Sequence, residues 1–276
     1  MNPRFPLSRS GRLLRFAVVP TMSALLLLGG CATTGGGATA PAAGPPTLTL
    51  ATGFAIDDLD PLKNGYRGPE FGYVELLMRP QRGGEPSPWV LSGLTNPRPL
   101  SWVLTLDDHI AFQNGAKLDG ASLAALLTYQ SAENPDFAAA LPGATATATG
   151  PLEVTLTTAK PAPNVPSLLA DESMVPVYDA AAYQKHVASG APATALVKAG
   201  LFTAPYVVDS LDGESMQLSP NATYWGAAPA LRDLTVKFVP QVSARIQAVQ
   251  AARPTSRSTR RRHRLPRWPV APIPSS

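Results

Sequence analysis

A chain of 276 residues with a formal net charge of +4 invites a reading as a nucleic-acid binder, and the placement of its charges argues against that class for the body of the chain. Between Ala32 and Ala252 all 19 acidic residues stand against 12 Lys and Arg, a net −7 that repels phosphate. The other arginines fall in the first 15 residues and the last 24, so the acidic body of about 220 residues is long enough for one large or two small cored domains.

At the N-terminus Arg4, Arg9, Arg12 and Arg15 form a positive region, and an apolar stretch from Phe16 to Leu28, interrupted by Pro20, follows it. Leu28-Gly29-Gly30-Cys31 then closes this secretory signal on the only cysteine of the chain. A lone cysteine cannot form an internal disulfide, and its place after two small residues is a bacterial lipobox pattern. The pattern predicts a lipid on the Cys31 sulfur, cleavage after Gly30 and acylation of the new N-terminus, a two-signal anchor that holds stably. Residues 1–30 are thus expected to be a signal peptide, and the mature chain to be extracytoplasmic, tethered to the outside of a membrane without spanning it. Beyond this signal no apolar run is long enough to cross a bilayer. Residues 31–46 carry no charge and no aromatic residue, and read as a flexible tether.

Thr47 to Thr52 alternates and predicts a first strand, ending at Gly53 before a loop with Asp57, Asp58, Asp60 and Pro61. Phe71, Val74 and Met78 recur at spacings of three and four, which predicts a helix over 70–78, and Gly83-Gly84-Glu85-Pro86 turns the chain. Trp102 to Leu106 reads as a strand, Ile110 to Phe112 as a short one ending in the turn Gln113-Asn114-Gly115. Ser122 to Ala132 reads as a helix opened by Asp119 or Ser122 and stopped before Pro135. Leu152 to Thr157 alternates, Ala180 to His186 reads as a helix, and strands are expected over 206–211, 215–219 and 234–239. Strands and helices in irregular alternation argue for a mixed α/β class without a simple βαβ repeat.

The chain offers no HExxH, no Cys/His cluster, no phosphate-binding glycine loop and no GxSxG elbow. No catalytic residue, no metal site and no cofactor is expected. His109 beside Asp107 and Asp108 reads as a solvated hairpin tip, because adjacent residues on a strand or tight turn point in different directions. The Asp57, Asp58, Asp60 loop has oxygens enough to suggest a hard cation but lacks the regular spacing of a calcium loop.

Four longer segments carry a resemblance. Leu59-Asp60-Pro61 followed by Tyr73-Val74-Glu75-Leu76-Leu77 is similar to the opening of the family 5 extracellular solute-binding proteins, with their L-D-P loop and Y-E-x-L helix. Trp102 to Leu106 with Ile110 to Leu118 resembles the family's W-x-F-x-L-R-x-G-V-x-F-x-D-G element, departing from it at Asp107-Asp108-His109. Pro205 to Ser210, running through Gly213-Glu214 to Leu218, resembles G-T-G-P-Y-x-L and its hairpin. Asn221-Ala222-Thr223-Tyr224-Trp225-Gly226 with Pro229 and Leu231 matches N-x-x-Y-W-G-x-x-P-x-L, and Ala244 to Gln250 follows. The resemblance covers Thr47 to Ala252.

It implies a periplasmic-binding-protein-like (type II) fold of mixed sheets, a partial solute-binding domain over 47–252, and a receptor that hands oligopeptides, nickel complexes or similar solutes to the permease of an ABC importer. It implies binding without chemistry, in which a solute bridging two lobes stabilises the closed state. Family members run to roughly double this length, so only the first lobe, itself incomplete, is expected here. The loop around Asn64, Gly65 and Tyr66 faces the cleft in the family and Tyr73 begins the adjoining helix, which makes Asn64, Tyr66 and Tyr73 the candidate ligand residues. Neither the loop nor Tyr73 matches a binding motif residue by residue, and Tyr73 itself reads as a core tyrosine.

After Gln250 the family continues Arg-x-x-Ala-Leu-x-x-Gly-Glu-x-Asp-Ile, whereas here Ala251-Ala252-Arg253-Pro254-Thr255-Ser256-Arg257 stands. Codons can be chosen for Ala251 to Arg260 that, in an offset frame, encode Gly-Glu-Ala-Asp-Ile-Ala-Leu-Asn-Ala. The expectation is therefore that a single base was lost near the Ala251 codon and that 253–276 is a disordered, out-of-frame basic tail. The competing readings are a genuine basic tail for anionic lipid or nucleic acid, suited by Arg260-Arg261-Arg262, a non-functional frameshifted remnant, and a secreted enzyme.

Overall fold

The computed structural model describes residues 46–252. The signal segment, Cys31, the tether up to residue 45 and the basic tail from residue 253 lie outside the described residues. In chain order the strands are β1 (Thr47–Thr52), β2 (Met78–Arg79), β3 (Ser87–Pro88), β4 (Leu91–Arg98), β5 (Ser101–Leu106), β6 (Thr145–Gly150), β7 (Glu153–Thr157), β8 (Tyr206–Leu211), β9 (Ser215–Pro220) and β10 (Asp233–Phe238). The helices are α1 (Gly68–Phe71), α2 (Gly120–Glu133), α3 (Pro135–Ala140), α4 (Val165–Leu168), α5 (Ala180–Ser189) and α6 (Val242–Ala252). One sheet has the order β1-β10-β9-β8, with β1 parallel to β10 and the other pairs antiparallel, and the second is wholly antiparallel in the order β4-β5-β7-β6. The mixed α/β class is the one the sequence predicts. Among the described residues no helix is long and apolar enough to cross a membrane.

Alternation decides the second sheet. β5 and β7 each turn every other side chain inward, so Trp102, Leu104, Leu106, Val154 and Leu156 form one buried face. Helix α2 packs on this sheet and buries Leu123, Leu126 and Leu127. Its start is fixed by a reciprocal cap: the Ser122 amide donates to Asp119 Oδ1 at 2.9 Å and the Asp119 amide to Ser122 Oγ at 2.7 Å. Both residues named by the sequence therefore open the helix. Gly120 is required next to them, because a Cβ there would stand 2.4 Å from the Gly150 carbonyl oxygen.

Two expectations are corrected by the structure, and a third finding adds strands that the sequence reading did not include. The helix over 70–78 is confined to α1, because Gly72 takes φ 75° and ends it after Phe71. Tyr73, Val74, Glu75, Leu76 and Leu77 are then all buried in an extended segment covered on both sides, which a helix with one solvent face could not achieve. Ile110 to Phe112 forms a single bridge, Ala111 to Lys117, around a tight turn at Gly115 rather than a strand. Third, β4 and β6, which the alternation did not reveal, are the two edges of the second sheet. β4 carries Gly93 and Pro97 with register shifts on both sides, and β6 alternates Thr with Ala but has no large apolar side chain to mark a core face. His109 stands at φ 71° with its side chain in solvent at a tip, as expected.

Replacing Asp119 with Ala removes the acceptor for the Ser122 amide and should cost about 0.5–2 kcal/mol of stability. Denaturant unfolding of this variant beside Asp119→Asn, which keeps an acceptor, checks it: the asparagine variant should lose less.

Candidate functional site

The loop after β1 is shaped by its own carboxylates. Asp58 Oδ1 accepts from the Asp60 amide at 2.9 Å and from Asn64 Nδ2 at 2.8 Å, while Asp60 Oδ1 accepts from the Leu62 amide at 3.0 Å and from the Tyr183 hydroxyl at 2.8 Å. Lys63 Nζ lies 3.3 Å from Asp60 Oδ2. Asp58 Oδ1 and both oxygens of Asp60 are thus engaged in folding the loop, and among the described residues no group of three or more His, Cys, Asp or Glu is arranged for a metal.

This folding leaves Tyr66 exposed, while Asn64 is half-buried, held by its bond to Asp58, and does not line the concavity beside Tyr66. The Arg67 guanidinium stacks over Tyr66 at 4.7 Å and over Phe54 at 4.0 Å, and pairs with Glu70 at 3.4 Å, which fixes the aromatic pair. Tyr66 lines a concavity of roughly 380 Å³ with Pro61, Lys63, Glu133, Asp136 and Glu172. Asn134, at the join of α2 and α3, holds its rim: its Oδ1 accepts from the Asp136 and Phe137 amides, and its Nδ2 donates to the Ser173 and Met174 carbonyls. Three carboxylates against one lysine, itself paired, leave the concavity electronegative. Burial, with Glu70 and Asp171 nearby, pushes the Glu172 carboxyl above the usual range, and Arg67 opposes them.

Tyr73 is not part of this wall. It lies in the core, its ring edge-on to Phe202 with centroids 5.8 Å apart, and its hydroxyl has no hydrogen-bond partner. Burial and the nearby Asp58 raise its pKa far above that of a free tyrosine.

Two residues beyond Tyr73 stands the most constrained group of the molecule. Glu75 is fully buried, and its carboxylate accepts from three neutral donors: the Tyr224 hydroxyl at 2.7 Å on Oε1, and the Thr203 hydroxyl at 2.8 Å and Trp225 Nε1 at 3.0 Å on Oε2. Among the described residues no lysine or arginine pairs with it. Burial, then the bond to Glu75, raises the Tyr224 hydroxyl pKa, which keeps it a donor. Tyr224 and Trp225 also line a second, open concavity of roughly 530 Å³ with Trp89, Tyr206 and Arg79, whose guanidinium lies 4.3 Å over the Trp89 ring. Sequence reasoning placed Glu75 in a motif but not at a junction. The signal was a single carboxylate inside the apolar run Tyr73 to Met78, a charge that a buried segment tolerates only with partners.

Residues 85–253 match the family described as bacterial extracellular solute-binding proteins, family 5 Middle. No curated protein matches the chain. Among solved structures, NikA from Staphylococcus aureus in complex with Ni(L-His)2 is 21% identical with a TM-score of 0.62, over 75% of this chain and 42% of that one. The nickel ABC transporter structure from Bacillus halodurans is 22% identical with a TM-score of 0.64, over 75% and 41%. OppA of Burkholderia pseudomallei is 17% identical with a TM-score of 0.61, over 76% and 45%. At these identities the likeness carries the fold, and the chain spans less than half the length of each of these structures. The family match itself takes in more than half of the chain, from the approach to β3 through α6, and the chain therefore belongs to family 5 of the bacterial extracellular solute-binding proteins.

Proposed function

We propose that the chain is a truncated form of the solute-binding component of an ABC importer for oligopeptides, nickel complexes or similar solutes, anchored through Cys31 to the outer face of a membrane. The observation that carries this reading is the family match over residues 85–253. In it the described residues supply one wall of a cleft, and the electronegative concavity beside Tyr66 faces a positively charged group of the solute. The opposing wall belongs to sequence beyond what this chain shares with its longer structural neighbours. A receptor of this kind gains affinity by enclosing its solute, and closure is what its permease partner reads.

One wall alone forfeits most of the enclosing contacts. Each tenfold of affinity is about 1.4 kcal/mol, which one lost apolar wall and a few lost hydrogen bonds exceed several times over. Calorimetry of the mature chain against a peptide library and a nickel–histidine complex should therefore register no binding at millimolar solute, and the same gene with one base restored near the Ala251 codon should recover it. Micromolar binding by the short chain would contradict the one-wall reading. For the anchor, Cys31→Ala should move the protein from the membrane fraction to the soluble one; equal membrane retention of variant and parent would remove lipidation from the proposal.

A further inference from the structure

The end of the second sheet formed by the β4–β5 turn and the exit of β7 is unlike the rest of this acidic body. The turn runs Asn96-Pro97-Arg98-Pro99-Leu100, and its two prolines stiffen the chain on either side of Arg98. Asn96 Nδ2 ties the turn by donating to the Arg98 carbonyl at 2.9 Å and the Ser101 carbonyl at 3.0 Å, and the Thr158 amide donates to the Leu100 carbonyl at 3.0 Å. The Thr158 hydroxyl donates in turn to the Lys160 carbonyl at 2.7 Å. Arg98, Leu100 and Lys160 are thus carried at one end of the sheet on backbone with little freedom left to lose.

Leu100 is 40% exposed. Beside it opens a concavity of roughly 780 Å³, lined by Arg98, Lys160 and the outward-facing Thr155 and Thr157, and a smaller one of roughly 220 Å³ shares Lys160 and reaches Leu141 and Asn164. No acidic residue lines either concavity, and among the described residues neither Arg98 nor Lys160 has an ion pair. The carboxylate on the same face of β7, Glu153, stands at the opposite end of the strand, where it accepts from the Thr149 hydroxyl at 2.8 Å. Two unpaired cations therefore flank an exposed leucine on a body that carries a net −7.

That combination fits a lipid surface. Cationic side chains reach the phosphate groups while a neighbouring apolar side chain enters the boundary between headgroups and acyl chains, and the acidic remainder of the body is repelled by the same surface. Fifteen residues, 32–46, separate Cys31 from β1, at most about 50 Å of chain, and a domain of this length is about 40 Å across. Such a tether lets any face reach the bilayer, so charge decides which one does. We propose that Arg98, Leu100 and Lys160 form a second membrane contact, which docks on anionic phospholipid headgroups and turns this end of the tethered lobe toward the bilayer. The contact rests on the Cys31 anchor proposed above for its place in the cell, yet it needs no lipid on the protein to form.

Vesicle binding by the mature chain carrying Cys31→Ala, basic tail included, tests this contact apart from the anchor. On phosphatidylcholine vesicles with roughly one-third phosphatidylglycerol, Arg98→Gln with Lys160→Gln should weaken binding about 25-fold, about fivefold for each basic residue near the surface. Arg82→Gln with Lys185→Gln removes the same charge at two other exposed positions and should change binding less than about twofold, because charges more than a Debye length from the surface are screened. Leu100→Ser alone should weaken it severalfold. Amide exchange in β5 and β7 should stay at the parental rate in every variant, which separates a lost contact from a lost fold. Equal affinity of the Arg98 and Lys160 variant and the parent overturns the proposal, since the tail alone would then account for binding. An equal loss in the Arg82 and Lys185 variant overturns it as well, because net charge would then be read rather than this surface. So does equal binding to pure phosphatidylcholine, or displacement by millimolar glycerophosphate, which would make this a site for soluble phosphate.

Discussion

A carboxylate without a counter-charge, sealed among three neutral donors, is the constraint around which this domain is arranged. Glu75 is fully buried, so its carboxyl group depends on all three donors for its hydrogen bonds. Hydrogen bonds to a charged group are each worth about 1.5–3 kcal/mol, and leaving such a group short of partners costs at least as much. The donors come from far along the chain: Thr203 just before β8, and Tyr224 and Trp225 between β9 and β10. The segment bearing Glu75 is pinned on its other side as well. The Val177 amide donates to the Glu75 carbonyl, the Met78 amide to the Leu169 carbonyl, and the Leu91 amide to the Leu77 carbonyl. One extended stretch thereby joins the loops of the first sheet to the approach to the second.

That junction explains which parts of the molecule the sequence reveals and which it hides. β5 and β7 are legible because their alternation is cut by one sheet face, and α2 because its cap is local, with Asp119 and Ser122 three residues apart. The edges β4 and β6 are not, since small residues and Pro97 leave no apolar period to read. The stretch from Tyr73 to Leu77 is misleading for a physical reason. Its apolar spacing suits a helix face, but the stretch is buried all round, and total burial erases the difference between the two periods. The Tyr-Trp-Gly block was conspicuous as a motif, while its purpose lay in a bond to a residue about 150 positions earlier, which no local pattern encodes. Of the candidate ligand residues, Asn64 and Tyr66 come from one loop but only Tyr66 lines the concavity, whereas Tyr73 is carried into the core by Gly72.

The same geometry bears on function. The electronegative concavity beside Tyr66 is built from the loop after β1, the α2–α3 join and the segment after α4, all outside the Glu75 junction. The aromatic concavity at Tyr224 and Trp225 is the outer surface of the junction itself, so its shape is tied to the fold. The proposed solute-facing concavity and the Glu75 junction thus occupy different parts of the fold.

The measurement that bears most directly on this account is a double-mutant cycle across the junction, with Glu75→Gln and Trp225→Phe, read by denaturant unfolding of the mature chain. Glutamine keeps the shape but puts an amide where an acceptor is needed, and phenylalanine keeps the ring but removes the donor. Each single change should cost about 1–3 kcal/mol, and the pair should cost less than the sum by about 1 kcal/mol or more, because both remove the same bond. Two costs that add within about 0.3 kcal/mol would mean that Glu75 and Trp225 act independently, and the junction would not be what holds the lobe together.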